Sequence, residues 1–221
     1  MQINVVGSNN IAAGSMMLSA VILSLNETRY NSAAALVKSL GILNVRRKVP
    51  IKRNDSRISS RISPPDTARR RGYLSNYLSF SDTWKEFGAE SGDPNDWQVF
   101  LEDDVVLPGN MTSSKILDAI FYGMQLAEMD GFLRFGVCGP RVKKQFGTVE
   151  REGVVYTRVA GRCSHAYALA RWRAEGFEDM LESSRANMPH YLKDQFEVVL
   201  DVKFHRVRKI ICYHIYKHVC N

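Results

Sequence analysis

Three consecutive carboxylates, Glu102-Asp103-Asp104, close the apolar run Trp97-Gln-Val-Phe-Leu101, and no other residues in this 221-residue chain are as well suited to chemistry. Acids this close repel one another unless a cation or hydrogen-bond donors compensate. Hard divalent ions such as Mg²⁺ and Mn²⁺ take oxygen ligands, often one or two carboxylates completed by substrate phosphates. An ion held there serves as Lewis acid and template for a departing diphosphate. Side chains alternate along a strand, so an extended run puts Glu102 and Asp104 on one face and Asp103 on the other. Glu102 and Asp104 are therefore the expected metal ligands, with Asp103 a catalytic residue that assists at either the sugar or the metal. The plain alternative is a solvated strand end turning before Pro108-Gly109, since so short a motif recurs by chance.

Other residues join this centre as candidates. Arg29 follows the first apolar run and is placed to face a nucleotide or diphosphate, because strand-end loops gather ligands in open α/β folds. His165 and Tyr167 alternate and share a face in a strand, where His165 can hydrogen-bond a sugar or phosphate. Asp194 is the expected general base, a carboxylate able to take the proton of an attacking hydroxyl. Glu197 and Asp201 compete with it on the same segment. His214 and His218 have metal-ligand spacing only on a helix, and the β-branched residues before them favour a strand. Ten Lys/Arg from Arg46 to Arg71 stand against Asp55 and Asp66, a local charge of +8 in a chain whose net charge is +7. Basicity so localised suits a phosphate-bearing ligand, an acidic acceptor or an anionic surface, and equally a solvated loop.

These residues need elements to hold them. Residues 17–25 read as a buried strand, followed by a helix from Glu27 to Leu40 that Gly41 ends. Val49–Ile51 reads as a short second strand, and 52–71, Ser/Arg-rich with Pro64-Pro65, as a mobile basic loop. Tyr73, Tyr77, Phe80, Trp84 and Phe87 recur on one helical face. A strand at Trp97–Leu101 and a helix carrying Ile116, Leu117, Ile120, Phe121 and Met124 come next. Further strands are expected at Phe132–Val137, Val154–Val159, Ser164–Leu169 and Phe204–Tyr213, with helices near Trp172–Leu181 and Met188–Leu200. Strands alternating with helices predict one α/β domain spanning residues 1–221, with a mixed, mainly parallel central sheet flanked by helices.

Several blocks resemble glycosyltransferase family 25, the lipopolysaccharide-biosynthesis type. Phe100-Leu-Glu-Asp-Asp-Val105 is similar to its LEDDV element. Gly72, Leu78, Ser79 and Trp84 match its G-E-I-G-C-x-L-S-H-x-x-x-W block, and Ser164-His-Ala-Tyr-Ala-Leu-Ala-Arg171 resembles T-H-A-Y-x-x-S-R. Val21 to Arg29 is similar to the opening I-N-L…R element, and Lys193-Asp-Gln-Phe196 to the later V-D-H-x. All occur in the family's order. Phe80 and Gln195 depart from it where the family has histidine, and Ser75-Asn76 replaces Gly-Cys.

The resemblance implies a GT-A-like fold, a nucleotide-sugar donor that is UDP-linked, and Mn²⁺ (or Mg²⁺). It implies transfer of a hexose to a hydroxyl on a glycan or glycoprotein acceptor. Arg29, Ser79, Glu102, Asp104, His165 and Tyr167 would bind the donor, and Asp194 and Asp103 would serve catalysis. Two other classes remain. One is an inactive nucleotide-sugar-binding module, which the missing histidines permit. The other is a nucleic-acid binder using the basic loop, which lacks any reader motif, so no nucleic-acid partner is expected. No apolar stretch reaches the ~20 residues of a membrane span, and no basic segment precedes the first run as in a secretory signal. The expected location is the cytoplasm, and a viral protein in the host-cell cytosol is compatible with that. Cys138, Cys163, Cys212 and Cys220 form no CxxC pair or dense framework.

Overall fold

A computed structural model describes residues 18–61, 67–108, 111–135, 145–159, 166–176 and 212–216. The element order is β1 (Leu18–Leu23), α1 (Glu27–Ser39), β2 (Asn44–Lys48), α2 (Ser56–Ser59), α3 (Ala68–Ala89), β3 (Trp97–Glu102), α4 (Ser113–Leu126), β4 (Phe132–Arg134), β5 (Gln145–Arg151), β6 (Val154–Val159), β7 (Ala166–Ala170) and β8 (Cys212–Tyr216). The strands form an eight-stranded mixed sheet in the order β2-β1-β3-β7-β4-β8-β6-β5. Pairing is parallel through β2-β1-β3 and again between β4 and β8, while the remaining neighbours run antiparallel. The α/β expectation thus holds as a mixed sheet with flanking helices. Among the described residues no helix is long and apolar enough to cross a membrane.

Alternation along the central strands divides the core into two layers. Val21, Leu23, Phe100, Tyr167 and Leu169 face α3, whose Leu74, Leu78, Phe80, Trp84 and Phe87 cover them. Ala20, Ile22, Val99, Leu101, Ala168 and Ala170 face the opposite way, against Ala33 and Val37 of α1 and Ile116, Ile120 and Met124 of α4. Strands buried on both faces need continuous apolar runs, which β1, β3 and β7 have. The α3 layer centres on Tyr167, which is 1% exposed. Its ring stacks on Phe100 (5.1 Å between centroids, 10° between planes) and on Phe132 (5.2 Å, 17°). The buried Trp84 indole Nε1 donates to the Tyr167 hydroxyl at 2.7 Å, so the polar ends of two large rings satisfy each other.

Arg171, also buried, ties the end of β7 to the end of α3. Its Nη1 donates to the carbonyls of Phe87 (2.5 Å) and Glu90 (2.7 Å), and the guanidinium lies 4.4 Å from the Phe87 ring centroid. A cation suits helix-terminal carbonyls that lack amide partners. Trp84, Tyr167 and Arg171, drawn from two of the resemblance blocks, are therefore scaffold residues that lock α3 onto the sheet.

Several expectations shift. The second strand lies at Asn44–Lys48, not Val49–Ile51. It is a sheet edge with charged, partly exposed side chains, so it carries no apolar signature. Pro50 follows it, and the amide of Ile51 donates to the Ser79 hydroxyl instead of to a strand. Within 52–71, the helical turn of α2 docks Ile58, fully buried, and α3 has already begun by Ala68. The β5–β6 hairpin went unpredicted at β5. Its turn, Glu152-Gly153, has φ of 54° and 73°, the left-handed pair that two-residue hairpin loops require. Gly41, with φ of 94°, follows α1 as expected. Residues 171–176 are helical, at the start of the helix expected near Trp172, whereas Met188–Leu200 lies outside the described residues.

Two consequences follow for stability. Tyr167→Phe leaves the buried Trp84 N–H without its acceptor and is expected to cost ~1–3 kcal/mol in urea denaturation; an unchanged midpoint would contradict the buried pair. Burial also pushes the Tyr156 phenol up to about 12, with the Arg151 charge opposing, and raises Tyr167 well above its ordinary range. A raised phenol favours the fold fully below the unfolded value of 10.0 and loses that contribution as pH climbs toward about 12. Thermal melts should therefore drop steeply across that alkaline window, and less steeply in Tyr156→Phe.

Candidate functional site

The parallel strands β2, β1 and β3 all end at one edge of the sheet. From β1 the chain passes through α1 to β2 on one side, then through α3 to β3 on the other. The connections diverge between β1 and β3, and it is at such a switch point, beyond the strand ends, that open α/β folds place ligands. The residues at this switch point are Ser24, just past β1, and Asp103, just past β3.

These two touch. Ser24 is 1% exposed, and its Oγ donates to Asp103 Oδ2 at 2.5 Å while accepting from the Asn26 amide at 3.0 Å. The other carboxylate oxygen, Oδ1, lies 2.6 Å from Arg29 Nη2. Arg29 is delivered by the first turn of α1, which Asn26 caps by accepting the Arg29 amide at 3.0 Å. Behind this pair, Arg47 Nε donates to the Ser24 carbonyl at 3.2 Å and its Nη1 pairs with Glu27. Both oxygens of Asp103 are thus held by charge-assisted contacts in a partly buried setting.

The three acids take different surroundings. Strand β3 ends at Glu102, opposite Leu23, and Asp103-Asp104 form a turn. The alternation expected to put Glu102 and Asp104 on one face therefore stops before Asp104. Glu102 is half-buried, and its negative charge, together with the positive charge of Arg134, acts on the buried Tyr167 phenol. Asp104 is exposed at the rim. Asp103, expected to point away, is the acid that joins the β1 and β3 ends. Among the described residues no three or more His, Cys, Asp or Glu side chains come together as a metal site. A divalent ion here would rest on one or two carboxylates, with water and phosphate oxygens completing its shell. The hard oxygen donors of Asp104 and Glu102 fit Mn²⁺ or Mg²⁺ in that manner.

The structure brings Arg29 and Asp103 together at the β1 and β3 strand ends, with Glu102 and Asp104 flanking Asp103 in sequence. Ser79 and Tyr167 sit inside the protein. Ser79 is 1% exposed, and its hydroxyl accepts the Ile51 amide at 2.8 Å and donates to the Ser75 carbonyl at 2.6 Å. Its contact with the strand-end loop is therefore through backbone. Tyr167 is enclosed by rings. His165, Asp194, Glu197, Asp201 and His218 lie outside the described residues. Residue 214 lies in β8, so the helical spacing that a His214/His218 metal pair needs is not present. Ser24 was not singled out from the sequence, although a small hydroxyl residue just past an apolar strand, two positions before an Asn helix cap, marks such a strand end.

In comparison with known proteins, no family model matches the chain and no curated protein matches it significantly. The family resemblance therefore stands on its motif residues alone.

Asp103→Asn removes the charge that Ser24 and Arg29 grip. A loss of ~1–3 kcal/mol in chemical denaturation is expected, the range for a partly buried charge-assisted hydrogen bond. Arg29 is 54% exposed, so Arg29→Ala should cost under ~1 kcal/mol. The reverse order would mean that Ser24 contributes little to holding Asp103.

Proposed function

We propose that this chain is a metal-assisted glycosyltransferase of GT-A-like architecture, taking a hexose from a UDP-linked donor to a hydroxyl on a glycan or glycoprotein. One observation carries the reading: an acidic strand-end turn lies at the topological switch point of a parallel βαβ layer, with Asp103 tied to Ser24 and Arg29. The motif order from Val21 to Lys193 supports it from the sequence side.

In this reading Asp104, which is exposed, and Glu102 would hold a Mn²⁺ or Mg²⁺ together with the donor diphosphate, and such an ion would supply charge neutralisation for the departing diphosphate. Asp103 keeps the β1 and β3 loops in register, so the site is preorganised before the donor arrives. Arg29, anchored by Asp103 and half exposed, presents its remaining guanidinium hydrogens to donor oxygens. The acceptor oxygen bonds to the anomeric carbon as the bond to the diphosphate breaks. We assign the proton released from that hydroxyl to the carboxylate of Asp194, and donor contacts to His165. The acid at Asp194 applies to an inverting transfer.

Calorimetric titration of UDP, UDP-glucose, UDP-galactose and GDP-mannose, each with Mn²⁺ and with chelator, tests the assignment. One donor is expected to bind in a metal-dependent way, with Asp104→Ala weakening it at least about tenfold, or ~1.4 kcal/mol. Absence of binding to all four, or binding indifferent to both metal and Asp104, would remove the proposal. A non-catalytic binding module gives the same titration but releases no UDP on prolonged incubation with acceptor.

A further inference from the structure

The basic run that begins at Arg46 is not a uniformly solvated stretch. Arg46 pairs with Glu90 at 2.6 Å, Arg47 with Glu27, Lys48 with Glu86, and Arg57 with Asp82 at 2.9 Å. Those cations are committed to clamping β2 and α2 onto α1 and α3. Lys52 and Arg53 differ. Both are exposed, and among the described residues neither meets a carboxylate.

These two cations line a cavity of about 620 Å³ between the β2–α2 connection and the first half of α3. Leu25 and Pro50 supply an apolar wall, and Asn76 a polar one. Leu25 directly follows Ser24, so the cavity lies next to the end of β1. Its floor is fixed. The Ile51 amide and carbonyl are both hydrogen-bonded to serines of α3, Ser79 and Ser75, and Arg71 Nη1 donates to the Arg53 carbonyl at 3.0 Å. Gly72 adds an independent sign. It sits inside α3 without a left-handed φ, where glycine is a poor helix former. A Cβ there would lie 3.3 Å from Nε and Nη2 of Arg53, so the missing side chain is what lets the guanidinium rest against the helix.

We infer that this cavity is an oxyanion subsite, in which Lys52 and Arg53 hold the phosphate of a phosphate ester while Leu25 and Pro50 pack on its organic part. An exposed guanidinium and ammonium that meet no carboxylate among the described residues, carried on a fixed backbone, suit phosphate, which arginine grips through two parallel hydrogen bonds and lysine as a point charge. The inference stands on cavity and charge, without the transfer reading. If that reading holds, the phosphate belongs either to the donor diphosphate or to a phosphorylated second substrate.

Titration of the full-length protein with inorganic pyrophosphate, in chelator and at low salt, tests it. Binding is expected in the unaltered protein and should weaken at least tenfold in Lys52→Ala/Arg53→Ala. Arg57→Ala, which removes a paired cation of the same run, should leave it unchanged. Gly72→Ala, which adds a methyl against the Arg53 guanidinium, should weaken binding severalfold without lowering the melting temperature. Absence of pyrophosphate binding, or equal losses in the Arg57 and Lys52/Arg53 variants, would overturn the subsite and leave only a diffuse positive surface. Competition by UDP assigns the phosphate to the donor. Simultaneous binding of UDP and pyrophosphate assigns it to the second substrate. Pyrophosphate binding in a protein indifferent to every nucleotide sugar would keep the subsite while removing the transfer reading.

Discussion

Tyr167 is the residue on which the two halves of the architecture depend. Its ring lies between Phe100 of β3 and Phe132 of β4, and its hydroxyl receives the Trp84 indole from α3. One side chain thereby joins the parallel strands, the antiparallel extension and the long helix. Stacked rings alone would tolerate sliding. The single hydrogen bond, made where water cannot replace it, fixes α3 in one position along the sheet. Arg171 repeats the device just beyond Trp84, at the end of the same helix, by holding its last carbonyls.

The fixed helix in turn places the strand-end loops. Ser75 and Ser79 of α3 hold Ile51, which sets the course of the chain beyond β2. On the neighbouring strand, Ser24 holds Asp103 and so couples the exits of β1 and β3. Buried serines thus link the core to the loops, and the charged residues at the rim inherit their positions from them. That hierarchy separates the motif residues into two kinds. Trp84, Ser79, Tyr167 and Arg171 shape the scaffold, while Arg29, Glu102, Asp103 and Asp104 lie around the β1 and β3 strand ends.

Much of this was legible where burial imposes a pattern. Strands β1, β3 and β7 are covered on both faces, so their apolar runs stand out, and the α3 face from Phe80 to Phe87 shows helical spacing. Strand β2 was misplaced because an edge strand stabilised by ion pairs looks like any charged loop. Hairpin strand β5 is mostly solvent-facing where its side chains are described, and only Glu152-Gly153 announces it. At the site, the acid cluster and Arg29 were visible as residue types in order. The division of labour among the three acids was not, because it depends on where β3 stops, and that is set by its neighbours β1 and β7.

The sheet order has a consequence for how the chain is made. Strand β8, the last described strand in chain order, lies between β4 and β6, so among the described residues the β5–β6 hairpin pairs with the rest of the sheet only through it. During synthesis the β2-β1-β3 layer with α1 and α3 can assemble early, since all of these elements precede Asp103 in the chain. The hairpin emerges long before the strand that will connect it, and must wait with an open edge. Such long-range closure is slow and exposes unpaired backbone in the meantime. Completion of the sheet thus waits on β8, the last of the described strands in chain order.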